Sequence, residues 1–157
     1  MSMEPIVKEI AIGADLELVW RAWLEERRIT LWFAPLANVE PRVGGKFELF
    51  FDPSNPERMG TKGCTIRELE EQRLLVFEWK GPDDFAEWMN REGELTVVRV
   101  EFAPAGPGKT NLKLTHSGWG TSPGWSEAKE WHVAAWNQVL GSLKSEIESG
   151  EGVLCCR

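Results

Sequence analysis

Two histidines are the first residues whose chemistry could matter, because imidazole changes charge near neutral pH. His116 ends an alternating run on the same parity as Leu112 and Leu114. His132 falls in the middle of an apolar stripe with helical spacing. Both are therefore assigned to the interior, where two neutral imidazoles could bind a polar ligand group or shuttle a proton. The simpler reading is that each is a satisfied core histidine. No nucleophile accompanies them, since neither lies in a GxSxG-like context. Glu48, Glu68, Glu78 and Glu101 are scattered on strands, mostly with outward parity. No pair stands out for acid–base work, and a charged outer face is expected.

Other motifs fail on spacing. PGKT at 107–110 would need its first P-loop glycine where Ala103 stands, and the residues after it alternate as a strand rather than opening a helix. GWG at 118–120 has Pro123 where a dinucleotide fingerprint needs its third glycine. Cys64, Cys155 and Cys156 form no disulfide framework, and no CxxC or HxxxH spacing suggests zinc. Nothing implies a cofactor or a metal.

Nine Trp and seven Phe with no Tyr set the remaining chemistry. An indole buries ~150–250 Å² and carries one N–H that wants a partner. Trp20, Trp23 and Trp79 read as core filling. Trp32, Trp119, Trp125 and Trp136 lie at helix ends, in a loop or on the long stripe, where rings could meet an apolar ligand. The cavity-lining candidates are Trp32, Phe33, Phe51, Phe77, Trp79, His116, Trp119, Trp125, His132, Trp136 and Leu140.

The elements that must position these residues follow from periodicity. Residues 5–12 read as a strand. Asp15 is a candidate N-cap before Leu16, Val19, Trp20 and Trp23, which share a helical face. A second short helix runs through EERRITLWF and stops near Pro35. From Val39 the period becomes two, with strands around Gly44-Gly45, then at 61–69, 73–80, 94–103 and 109–117. Phe85, Trp88 and Met89 suggest a short helix or flap. Residues 125–149 keep a helical period without proline, with Trp125, Ala128, His132, Trp136, Val139, Leu140, Leu143 and Ile147 on one stripe. Such a helix is about 36 Å long and must cross most of a domain this size. Its stripe has one partner, the concave face of the sheet.

Composition bounds the rest. The 157 residues make one domain, expected over 1–150, with 151–157 a disordered tail. A net charge of −7 argues against nucleic-acid or anionic-membrane partners. The first ten residues show no signal-peptide pattern and no apolar run approaches a membrane span, so a cytoplasmic location is expected.

VWRAW at 19–23, LWFAP at 31–35 and RVGGKFELFF at 42–51 are followed in order by RLLVFEW at 73–79, LTVVRVEF at 95–102, TNLKLTHSGW at 110–119 and AWNQVLGSL at 135–143. Together they resemble the bacterial proteins named for similarity to the activator of heat-shock-protein-90 ATPase, in the START-like SRPBCC superfamily. The resemblance covers about residues 5–149. Departures are the missing proline near Ala14 and Ala135 in place of the glycine before the helix tryptophan. The resemblance implies an α+β helix-grip fold: a curved antiparallel sheet of about six or seven strands around a long C-terminal helix, with two short helices after the first strand. It implies no catalytic residue set.

The leading expectation is a single-domain protein holding a small hydrophobic or amphipathic ligand, lipid- or polyketide-like, between sheet and helix. One alternative is a cyclase- or hydrolase-type enzyme working through His116 or His132. Another is a co-chaperone-like interaction module, or a homodimer using an exposed Trp88 or Trp119.

Overall fold

The computed structural model describes residues 4–52, 54, 55, 60–91 and 93–152. Cys155 and Cys156, and most of the expected tail, lie outside them. The N-terminal strand β1 (Ile6–Ile12) leads into α1 (Leu16–Leu24), which buries Val19, Trp20, Ala22 and Trp23. Asp15 occupies the N-cap position but makes no side-chain capping bond. The extended backbone of Glu25 separates α1 from α2 (Glu26–Trp32). Its carboxylate accepts from Arg21 Nε at 2.6 Å and Arg28 Nε at 2.8 Å, bridging the two helices.

Among the described residues, seven strands follow the alternation in the sequence. β2 (Leu36–Val39) and β3 (Phe47–Phe50) form a hairpin. β4 (Ile66–Glu70), β5 (Leu74–Trp79), β6 (Thr96–Pro104) and β7 (Thr110–Ser117) form a meander, and β1 pairs with β7. The five-stranded sheet has the order β1-β7-β6-β5-β4. The β2–β3 pair continues it, because Phe47 N–H donates to the Cys64 carbonyl and Thr61 N–H to the Leu49 carbonyl, both at 2.9 Å. A bulge between Ile66 and Glu68 bends this end of the sheet, as bulges do. All pairings are antiparallel, and the fold is the expected α+β helix grip with five plus two strands.

Two boundaries differ from the periodicity. β2 begins at Leu36, three residues before Val39, because pairing with Phe50 sets its start. β4 begins at Ile66 rather than 61, since Gly63 takes a φ of +90° and breaks the extended run. Between β5 and β6, a 3-10 turn (Asp83–Phe85) and α3 (Ala86–Met89) form the flap anticipated there.

The last element, α4 (Pro123–Ser149), starts with a proline in its first turn and ends at Gly150 in the left-handed region, φ +74°. It buries Ala128, His132, Trp136, Leu140, Ser142 and Leu143, with His132 and Trp136 against Trp79 of β5 and His116 of β7. Its C-terminal half is tied down. Lys144 Nζ donates to the Ala11 carbonyl at 2.9 Å, and Gly13 N–H donates to Glu148 at 2.7 Å. Ser142 Oγ donates to the Trp32 carbonyl at 2.8 Å.

One expectation about charge is corrected. Glu48 is 7% exposed rather than on a solvated face. Its carboxylate accepts from Asn38 Nδ2 at 3.0 Å and Gly63 N–H at 2.7 Å, partners that the alternation of β3 does not reveal.

Candidate functional site

The inward faces of β5, β6 and β7 bring Trp79, Thr96 and His116 opposite His132 and Trp136 of α4. There the indoles and imidazoles pair. Trp79 Nε1–H donates to His132 Nε2 at 3.1 Å, and Trp136 Nε1–H donates to His116 Nδ1 at 3.0 Å. The tautomers follow from the remaining partners. The Ala128 carbonyl, 2.8 Å from His132 Nδ1, can only accept, so Nδ1 carries the proton. His116 takes the other tautomer, with Nε2–H donating to Thr96 Oγ1 at 2.8 Å. Thr96 Oγ1 in turn donates to the Trp79 carbonyl at 3.5 Å. The two rings stand 5.4 Å apart, edge to face.

Both imidazoles are neutral for the same reason. Burial pushes His132 down to about 4, against the opposing pull of the Ala128 carbonyl. Burial drives His116 well below its ordinary range, and the proximity of His132 adds to that. Every ring nitrogen has a partner. A proton shuttle would have to break one of these bonds first, so the arrangement is that of satisfied core histidines.

Large rings are buried elsewhere in the interior. Trp23, Trp32, Phe33, Phe77 and Trp119 are each at most 1% exposed. Trp32 Nε1–H donates to the Ala22 carbonyl at 3.0 Å and Trp119 Nε1–H to the His116 carbonyl at 2.8 Å. Trp119 cannot serve as an exposed dimer residue, and Trp88 lies half-buried over Gly124. Cys64 is buried, and that burial pushes its thiol up to about 12.

Space remains at one end, where α4 faces the loop after β5. A cleft of about 230 Å³ opens there. Phe33, Trp79, His132 and Trp136 form its floor; Phe51, Gly60, Lys80, Gly81, Pro82, Trp131, Ala135, Gln138 and Val139 complete it. Of the candidates from the sequence, Phe33, Phe51, Trp79, His132 and Trp136 meet at the cleft. Trp32, Phe77, His116, Trp119, Trp125 and Leu140 do not line it. They pack behind or beyond it.

Sequence reasoning passed over Trp131, which is 45% exposed at the rim and packs edge-on against Phe85 at 6.1 Å. Its signal was an aromatic ring off the apolar stripe of α4, five residues before Trp136. Thr96 is a further partner that sequence reasoning did not single out; it lies diagonal to His116, since Val98 stands opposite the histidine. Among the described residues, no group of three or more His, Cys, Asp or Glu could hold a metal ion. No described helix is long and apolar enough to cross a membrane.

Solved structures share this architecture. PFC0360w, an HSP90 activator from Plasmodium falciparum, is 25% identical over 94% of this chain and 97% of its own, with a TM-score of 0.69. The Aha1 dimer from Colwellia psychrerythraea is 19% identical over 96% of this chain and 100% of its own, at a TM-score of 0.73. DynU16, from the dynemicin biosynthetic locus, is 20% identical over 95% of this chain but only 49% of its own, at a TM-score of 0.70. Comparison with curated proteins gave no match. The family model described as activator of Hsp90 ATPase homolog 1-like protein matches residues 13–148, and the chain belongs to that family.

Proposed function

We propose that this chain binds a small apolar or amphipathic molecule in the cleft between α4 and the loop after β5. The observation that carries the reading is a cleft with an aromatic floor and Trp131 standing 45% exposed at its edge. Apolar concavities with a few polar groups at the mouth are where small molecules bind. The cleft volume of about 230 Å³ limits the size of the guest. Ligand pockets usually measure about 300–1,000 Å³, and a cavity of roughly 150 Å³ accepts benzene. The guest, or the part of it that enters, is therefore a substituted ring or a short chain. An intact lipid or polyketide would reach in with one end only.

The experiment is a titration of intrinsic tryptophan fluorescence with short fatty acids, aryl carboxylates and aryl alcohols, repeated on Trp131→Ala. Saturable binding that weakens severalfold in the variant supports the reading. If no compound binds below millimolar concentration, the reading fails.

A second reading, docking of a partner protein's apolar side chain, is favoured by the exposure of Trp131 itself. Exposed indoles are frequent interface anchors. It predicts that Trp131→Ala loses a protein complex while small-molecule titrations stay silent. Capture on immobilised protein, compared with the variant, tests it.

A further inference from the structure

Among the described residues, the floor of the cleft has aromatic rings whose polar groups are already hydrogen-bonded. Trp79 and Trp136 both turn their indole N–H inward to a histidine, at 3.1 and 3.0 Å. His132 uses its other nitrogen on the Ala128 carbonyl at 2.8 Å. The peptide at the cleft wall is closed in the same way. Gly81 N–H donates to Asn90 Oδ1 at 2.8 Å, and Asn90 Nδ2 donates back to the Gly81 carbonyl at 3.1 Å. Gly81 also packs under Met89, so tightly that a Cβ there would lie 2.4 Å from the sulfur. Phe33 adds only a hydrocarbon face. The polar side chains of the cleft, Lys80 and Gln138, are not among its buried residues, and Gln138 is exposed.

From this closure we infer that the cleft selects ligands by their inner end: it takes an unsubstituted aryl or alkyl group and rejects the same group carrying a hydroxyl. The inference rests on the ligand-binding reading above and deepens it. A hydroxyl pressed against this floor leaves water and finds no free partner. Burying a polar group unpaired weakens binding by about ten- to a hundred-fold. A carboxylate at the opposite end of the ligand stays at the mouth in water. The two histidines act here as positioning residues. They engage both indole N–H groups, so that neither is left for a ligand.

Two matched pairs test it on the whole chain: 3-phenylpropionate against 3-(4-hydroxyphenyl)propionate, and octanoate against 8-hydroxyoctanoate. Binding is followed by the shifts of the indole N–H signals in NMR titrations, where Trp79 and Trp136 report directly on the floor. The expected result is at least ten-fold weaker binding of each hydroxylated member. Equal or tighter binding of the hydroxylated compounds overturns the inference while leaving the binding site itself standing. Binding by neither pair, nor by any compound of the fluorescence series, overturns both. A variant adds an independent readout. His132→Leu frees the Trp79 N–H, so the discrimination against hydroxylated ligands should shrink several-fold. Should that variant fold poorly, the wild-type pairs still decide.

Discussion

Acidification should weaken this protein between pH 7.5 and pH 5 through its two buried histidines. The perturbation is a shift from pH 7.5 to pH 5. In the unfolded chain each histidine has its ordinary value near 6.5. In the folded chain burial holds His132 at about 4 and His116 well below 6.5. Below pH 6.5 the unfolded state therefore takes up protons that the native state refuses. The stability carried by neutral histidines is fully present above 6.5 and drains away as pH falls toward the folded values. For His132, the move from 6.5 to about 4 weakens the native state by about 2 kcal/mol at pH 5 relative to pH 7.5. His116 adds to this with the same sign. The slope approaches about 1.4 kcal/mol per pH unit for each histidine. Glu78 falls in a different window. Burial works against its charge, but bonds from Thr65 and Arg67 outweigh this and lower it. Its stabilisation is present above its ordinary value and disappears only as pH drops below that. Urea unfolding followed by tryptophan fluorescence at pH 7.5, 6.5, 5.5 and 5 measures the effect. An unfolding free energy that stays constant from pH 7.5 to 5 would refute the argument that both imidazoles are buried, neutral and paired.

Three substitutions extend the test. Trp79→Phe keeps the ring but removes the donor to His132 Nε2; it should cost about 1–3 kcal/mol in urea unfolding at pH 7.5. Gly124→Val places a Cβ where the Trp88 indole now lies, 2.1 Å from its ring. Evicting that ring should cost about 1–3 kcal/mol and speed amide exchange across the flap at 83–89. Gln72 sits in the β4–β5 turn with φ +57°, a region that suits glycine. Gln72→Gly should therefore raise stability by about 0.5–1 kcal/mol, read as a higher urea midpoint at unchanged slope.

The architecture was legible because its signals are local. Thr96, Val98, Val100 and Phe102 alternate over a full strand, and the stripe from Ala128 to Leu143 spans a long helix. What periodicity cannot carry is height along an element. Trp125 and Trp136 share the stripe of α4, yet only Trp136 lines the cleft, because the opening faces the stretch of helix from Trp131 to Val139. Polar pairing was equally hidden. Trp79 finds His132 across 53 positions and Trp136 finds His116 across 20, so neither bond leaves a trace in residue spacing. Glu48 was misjudged for the same reason. Trp131 was missed because a stripe-based search discards aromatic rings on the outer flank of a helix.

The position of β1 beside β7 has a consequence for how the chain is made. β2 pairs with β3, and β4 to β7 each pair with their neighbours in sequence, so these hairpins can form as soon as each is complete. β1 cannot join them, since Ile6 pairs with His116 and Ile12 with Thr110. At about 5–20 residues per second, synthesis of the intervening hundred or so residues takes roughly 5–20 s. Through that interval the β-branched strand at the front of the chain has no mate, and the last hairpin must emerge before the sheet can close. Closure of the sheet thus waits on the strand that precedes the others in sequence.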